Sequence, residues 1–182
     1  MAEKMGLSSP EIILEQLNIS DKAQVADFGC GNGYFSVPLA KIVQQGKVYA
    51  IDVIKEALEA VKSKAALEEI FNIETVHCNL EVLGNSKLAG ESIDFVLTRN
   101  ILFQSQKKAE IIKEAKRILK KEGKLVLIEW IGESSLAPKE GWFISKEDAR
   151  RLAENEGFVF EKELKIDNQH YGLVFRADIK IV

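Results

Sequence analysis

Three glycines spaced two apart, Gly29, Gly31 and Gly33, stand where an apolar run ending on Asp27 gives way to a helix-forming stretch. This junction constrains the fold more than any other feature of the chain. Glycine reaches positive φ and has no Cβ, so a backbone built this way turns tightly and can lie directly against a ligand. The helix that follows aims its free N–H groups at the same place. Spacing narrows the ligand. The pyrophosphate fingerprint G-x-G-x-x-G needs a third glycine where this chain has Tyr34. A carboxylate at Asp27, at the end of the strand, would repel a pyrophosphate and suits a ligand that carries positive charge.

Patterning around the junction alternates strand with helix. Apolar runs at 24–28, 47–52, 73–78, 93–98 and 124–130 predict strands, the last nearly continuous, as expected where both faces of a parallel sheet are covered. Helices are predicted at 10–17, with Ser9 as cap and Pro10 in the first turn, through Leu39 and Val43, at 55–71, and around 109–119. Ser145 with Asp148 forms a partial capping box for a helix ending near Gly157. Strands at 158–166 and 171–177 then follow with only Asp167, Asn168, Gln169 and His170 between them, too short a link for a crossover. The last two strands should therefore form an antiparallel hairpin.

At 182 residues, 46% hydrophobic, the chain is long enough for one domain with a substantial core and short for two, so 1–182 is read as a single domain. Cys30 and Cys78 belong to no C-x-x-C or Cys/His cluster, which argues against a disulfide framework or a metal site. No apolar window approaches a membrane span, and a cytoplasmic location is expected. The net charge of −3 gives no pull toward nucleic acid. Lys113, Lys116, Arg117, Lys120, Lys121 and Lys124 are read as the solvated face and exit of one amphipathic helix.

Asp27 followed by Gly29, Gly31 and Gly33 resembles, residue by residue, the first motif of the class I S-adenosylmethionine-dependent methyltransferases. The closing hairpin extends the resemblance over most of the chain, with a looser likeness to the small branch that includes the ubiquinone and menaquinone biosynthesis methyltransferases. It implies an α/β, Rossmann-like, doubly wound seven-stranded sheet, mostly parallel, with an antiparallel C-terminal hairpin strand. It also implies S-adenosylmethionine as cofactor. The residues it assigns to cofactor binding are Asp27, Gly29, Cys30, Gly31 and Gly33 in the loop, Asp52 and Val53 after the second strand, Asn79 and Leu80 after the third, and Asn100 after the fourth. Asp52 has the position to accept the ribose hydroxyls. Asn79 stands where the family more often has aspartate, its carbonyl able to accept from the adenine amino group.

The implied reaction is in-line methyl transfer to an acceptor that the sequence does not identify. A small molecule is the first expectation, and a macromolecule also fits so sparse a cap. Asn100 with Phe103 resembles, without its prolines, the N-P-P-Y motif of enzymes that methylate planar nitrogens. No catalytic base is assigned: His77 is placed within a strand, His170 in a turn near the sheet edge, and Glu129 facing either way. Residues 1–20 and 131–144, with Trp142 and Phe143, are expected to cover the site as a lid. Two other readings stay open, a S-adenosylmethionine-binding module without turnover and a dinucleotide-dependent oxidoreductase. Tyr34, Asp27 and the hairpin weigh against the second.

Overall fold

In the computed structural model, which describes residues 9–132 and 136–178, seven strands build one mixed sheet that five α-helices accompany. The strands are β1 (Gln24–Phe28), β2 (Lys47–Asp52), β3 (Ile73–His77), β4 (Ile93–Arg99), β5 (Leu119–Trp130), β6 (Phe158–Leu164) and β7 (His170–Ala177). Their order across the sheet is β3-β2-β1-β4-β5-β7-β6. The first five run parallel, and β7 lies antiparallel to both β5 and β6. Strand order reverses between β1 and β4, which places the topological switch point, and so the crevice for a ligand, above the carboxyl ends of those two strands.

Alternation along the strands divides the core into two layers. On β5, Leu125 and Leu127 face one side and Val126 and Ile128 the other, all fully buried. The first side packs against α4 (Lys108–Ile118) and α5 (Lys146–Asn155) through Ile111, Ile112, Ala115, Ala149 and Ala153. The second packs against α1 (Pro10–Leu14) and α2 (Ser36–Ile42) through Ile13, Leu14, Leu39 and Ala40. Leu58 and Val61 of α3 (Lys55–Leu67) cover Ala50 and Cys30. A sheet covered on both faces in this way explains why its central strands read as unbroken apolar runs.

The capping box forms as expected: Ser145 Oγ accepts the Asp148 N–H at 3.0 Å and donates to the Asp148 carboxylate at 2.8 Å. Gly157, at φ +82°, closes the same helix. Ser9 does not cap α1 with its side chain, and that helix tightens into a 3-10 turn at Glu15–Leu17. The helix predicted at 55–71 ends at Leu67, because Glu69 turns into the left-handed region at φ +53°.

The basic run is divided between two elements. Only Lys113, Lys116 and Arg117 lie on α4, whereas Lys120, Lys121 and Lys124 lie on β5, which starts five residues earlier than its apolar run because Leu119 pairs with Ile93 across a register shift. Ion pairs take up most of these charges. Arg117 meets Glu114 at 2.8 Å, Lys120 meets Asp94 at 2.9 Å and Lys124 meets Glu161 at 2.5 Å. Among the described residues no helix is long and apolar enough to cross a membrane.

Candidate cofactor site

The glycine turn is anchored to β2 by two hydrogen bonds: the N–H groups of Gly29 and Cys30 both donate to Ile51 O, at 2.8 and 3.0 Å. Gly29, Gly31 and Gly33 all have positive φ, at +68°, +51° and +83°. Their roles differ. A Cβ on Gly33 would stand 3.3 Å from Val61 Cγ2, so this glycine brings the turn close to α3 and does not line the site. A Cβ on Gly31 would meet nothing within 4 Å and would project into open space.

That space is a pair of adjoining cavities. The larger, about 320 Å³, is lined among others by Asp52, Val53, Asn79, Leu80 and Ile101. The smaller, about 180 Å³, is lined by Asp27, Cys30, Tyr34, Phe35 and Asn100 among others. Gly29, Gly31, Arg99 and Gln104 border both. Nine of the ten residues that the sequence nominated thus meet at one place, Gly33 being the exception.

The two acids hold the ends of this crevice. Asp52 Oδ2 accepts the Gly31 N–H at 2.9 Å and its Oδ1 accepts the Ile54 N–H at 2.9 Å, so the carboxylate fixes the turn and opens the next helix. Asp27 is buried, and its Oδ2 accepts the Ser36 hydroxyl at 2.6 Å. Burial pushes its carboxyl up to about 6, opposed by the Ser36 bond and reinforced by the Asp52 charge. The Asn79 side-chain carbonyl accepts the Glu81 N–H at 2.9 Å, an Asx turn that takes one of the two lone pairs of that oxygen.

Residues that the sequence did not nominate complete the site, among them Arg99 at the end of β4 and Ile101, Gln104 and Ser105 in the irregular segment after it, where no periodicity announces which way a side chain faces. Asn100 adopts left-handed backbone at φ +55°, its N–H donates to Ile128 O at 2.8 Å, and Gln104 Nε2 donates to its carbonyl at 2.6 Å. Glu129, read from sequence as facing either way, turns inward and is buried. Its carboxylate accepts the N–H groups of Ile101, Leu102 and Phe103 at 3.0, 2.7 and 3.4 Å. Desolvation lifts this carboxyl to about 7 although those three donors pull it down.

His170 corrects the sequence reading. Because β7 lies inside the sheet between β5 and β6, this residue is no edge turn: it opens β7 opposite Trp130 and is buried, its ring tilted over that indole at 4.0 Å. Its Nδ1 lies 2.9 Å from the Asp167 carboxylate and its Nε2 lies 3.1 Å from Asn100 Nδ2. Burial lowers its pKa despite Asp167. A neutral ring with Nδ1–H donating to Asp167 therefore accepts from Asn100. Neither His170 nor Glu129 lines the cavities, and His77 is exposed, with Nε2 3.0 Å from Val53 O.

The expected lid is described in part. Residues 133–135 of it, like 1–8 of the N-terminal segment, lie outside the described residues. In the described part, Phe143 stacks on Phe103 at 5.6 Å and the Trp142 N–H donates to Phe103 O at 2.7 Å. Gly141, at φ +154°, permits the approach, since a Cβ there would stand 2.6 Å from the Phe103 ring. Trp142 and Phe143 brace the post-β4 segment from outside and line neither cavity.

A family model described as a methyltransferase domain matches residues 19–168. The chain belongs to this methyltransferase-domain family. S-adenosylmethionine is the cofactor that the resemblance implies. The domain has the fold of a S-adenosylmethionine-dependent methyltransferase from Aquifex aeolicus, with a TM-score of 0.86 at 22% identity over 97% of this chain and 94% of that one. Among curated relatives, the ribosomal RNA small subunit methyltransferase G of Porphyromonas gingivalis is 26% identical over 110 residues, 60% of this chain and 45% of its own. A protein of Methanosarcina mazei named "Probable cobalt-precorrin-6B C(15)-methyltransferase (decarboxylating)" is 36% identical over 94 residues, 50% of this chain and 45% of its own. This methyltransferase domain thus spans about half the length of those two relatives.

The cavity residues fit the cofactor chemically. Two carboxylates, Asp27 and Asp52, face a space that Gly31 leaves open, which suits a molecule carrying a sulfonium and an ammonium. Asp52 would hold the ribose end, Val53 and Leu80 would flank the base, and the glycine turn would pass beneath.

Proposed function

We propose that this domain transfers the methyl group of S-adenosylmethionine to a small-molecule acceptor reached through the crevice above β1 and β4. The observation that carries the reading is the pair of cavities meeting at Gly31, with Asp52 at one end and Asp27 and Asn100 at the other. The cofactor supplies an activated methyl that leaves a sulfonium on in-line attack, so alignment of the acceptor can provide on the order of 7–11 kcal/mol of barrier lowering. The chain's part is positional. The glycine turn and Asp52 fix the cofactor end, while Glu129 and His170 hold the post-β4 segment that forms the other wall.

A small acceptor is favoured over a nucleic acid because the basic residues of α4 and β5 are largely spent in ion pairs with Glu114, Asp94 and Glu161. Calorimetric titration with S-adenosylmethionine, S-adenosylhomocysteine and NAD, with Asp52→Ala as control, tests the site. Binding of the first two, lost in the variant, is expected, and binding of NAD alone would overturn it. Release of S-adenosylhomocysteine on addition of a small-molecule pool, and not of total RNA, is the expected sign of the acceptor class.

A further inference from the structure

Arg99 is the only lysine or arginine among the described residues that line the two cavities, and it borders both. The other four arginines are each ion-paired: Arg117 with Glu114, Arg150 with Glu154, Arg151 with Asp148 and Arg176 with Glu122. Arg99 has no carboxylate within ion-pair distance among the described residues. Its guanidinium instead lies over the Tyr34 ring, 4.5 Å from the centroid, a contact that fixes the plane of the group without consuming its N–H donors. The residue is half-buried at the end of β4, where the next residue, Asn100, is locked by Ile128 O, Gln104 and His170. A pre-oriented, unpaired guanidinium at the junction of two cavities presents a fork that matches a carboxylate.

Charge points the same way. Asp27, Asp52 and Glu81, the last accepting from the Ser105 hydroxyl at 2.6 Å, supply the anionic groups of the crevice, and Arg99 supplies its cation. We infer that Arg99 is a carboxylate-binding residue of this site, taking either the α-carboxylate of the cofactor's amino-acid half or that of an acidic methyl acceptor. The inference rests on the cofactor site proposed above.

The test compares wild type, Arg99→Gln and Arg99→Lys by calorimetry with two probes. S-adenosylhomocysteine carries the carboxylate, whereas 5′-methylthioadenosine keeps the adenosine and the thioether and lacks it. If the carboxylate is the cofactor's, Arg99→Gln weakens S-adenosylhomocysteine about 10- to 100-fold, as expected for a charge-assisted pair. Methylthioadenosine is then unchanged, and Arg99→Lys falls between. If the carboxylate is the acceptor's, S-adenosylhomocysteine binds all three proteins alike, and benzoate added to the saturated protein binds wild type but not Arg99→Gln. Parallel loss of both nucleoside probes in Arg99→Gln, or no difference with any probe including benzoate, overturns the inference. Wild type that binds neither nucleoside probe overturns the cofactor site itself, a result distinct from either.

Discussion

The carboxylate of Glu129, at the end of β5, accepts the backbone N–H of Leu102 at 2.7 Å beneath the segment that walls the cofactor crevice. With the N–H groups of Ile101 and Phe103 on the same carboxylate, one buried side chain replaces water for three consecutive donors at the start of the 3-10 turn Leu102–Gln104. Its folded pKa, raised to about 7 by burial, lies above that of an unfolded glutamate. The protonated form is thus favoured in the folded state. The stabilisation this gives is complete below about pH 4.5 and is lost as pH rises through about 7. Thermal midpoints measured from pH 4.5 to 8 should fall more in wild type than in Glu129→Gln, with a differential on the order of 3 kcal/mol across the window. Parallel curves would show that Glu129 does not titrate there.

Asp27 lines the smaller cavity, where its charge would bear on a bound cationic ligand. Its carboxyl, pushed up to about 6 chiefly by burial, ionises as pH rises through that value. The cationic cofactor should gain affinity relative to S-adenosylhomocysteine, which has no sulfonium charge, by about three- to tenfold between pH 5 and 7. Calorimetry with both ligands checks this, and Asp27→Asn should make the affinity ratio independent of pH.

Gly31 and Gly84 form a matched pair. Both have positive φ, +51° and +79°, and at both an added Cβ meets nothing within 4 Å, yet only Gly31 borders the cavities. Gly31→Ala and Gly84→Ala should each lose about 1–2 kcal/mol of stability from left-handed strain. Only Gly31→Ala should weaken cofactor binding, because its methyl group would enter the crevice. Urea melts and ligand titrations of the two variants separate the effects.

His170 links the hairpin to the site through Asp167 on one side and Asn100 on the other. His170→Phe keeps an aromatic ring against Trp130 and removes both bonds. It leaves the Asp167 carboxylate with only the backbone N–H groups of residues 169 and 170 and should cost about 1–3 kcal/mol of unfolding free energy. If the histidine acts only through packing, urea denaturation will show no loss.

Several features were legible in the residues alone because their causes are local. Three glycines in five residues demand a backbone that other residues resist, Ser145 and Asp148 cap a helix wherever it packs, and a four-residue link can only join strands into a hairpin. From these, with the apolar runs and the family resemblance, follow the order of elements, the mostly parallel sheet and the placing of the nominated residues at the strand ends. What the tertiary structure decided has non-local causes. Residues 119–123 carry helix-compatible lysines and glutamate, yet become strand because Leu119 pairs with Ile93 and Lys120 reaches Asp94. His170 is buried because β7 inserts between β5 and β6, a neighbour relationship that no run of residues encodes by itself. Gln104 owes its direction to an aperiodic segment, and Arg99 and Glu129 stand at the last positions of β4 and β5, where contacts with that segment decide what their side chains meet. Periodicity along the chain therefore determined which elements exist, and contacts between elements distant in sequence, such as Glu129 with the N–H groups after β4 and His170 with Asn100, determined how the wall of the crevice is held.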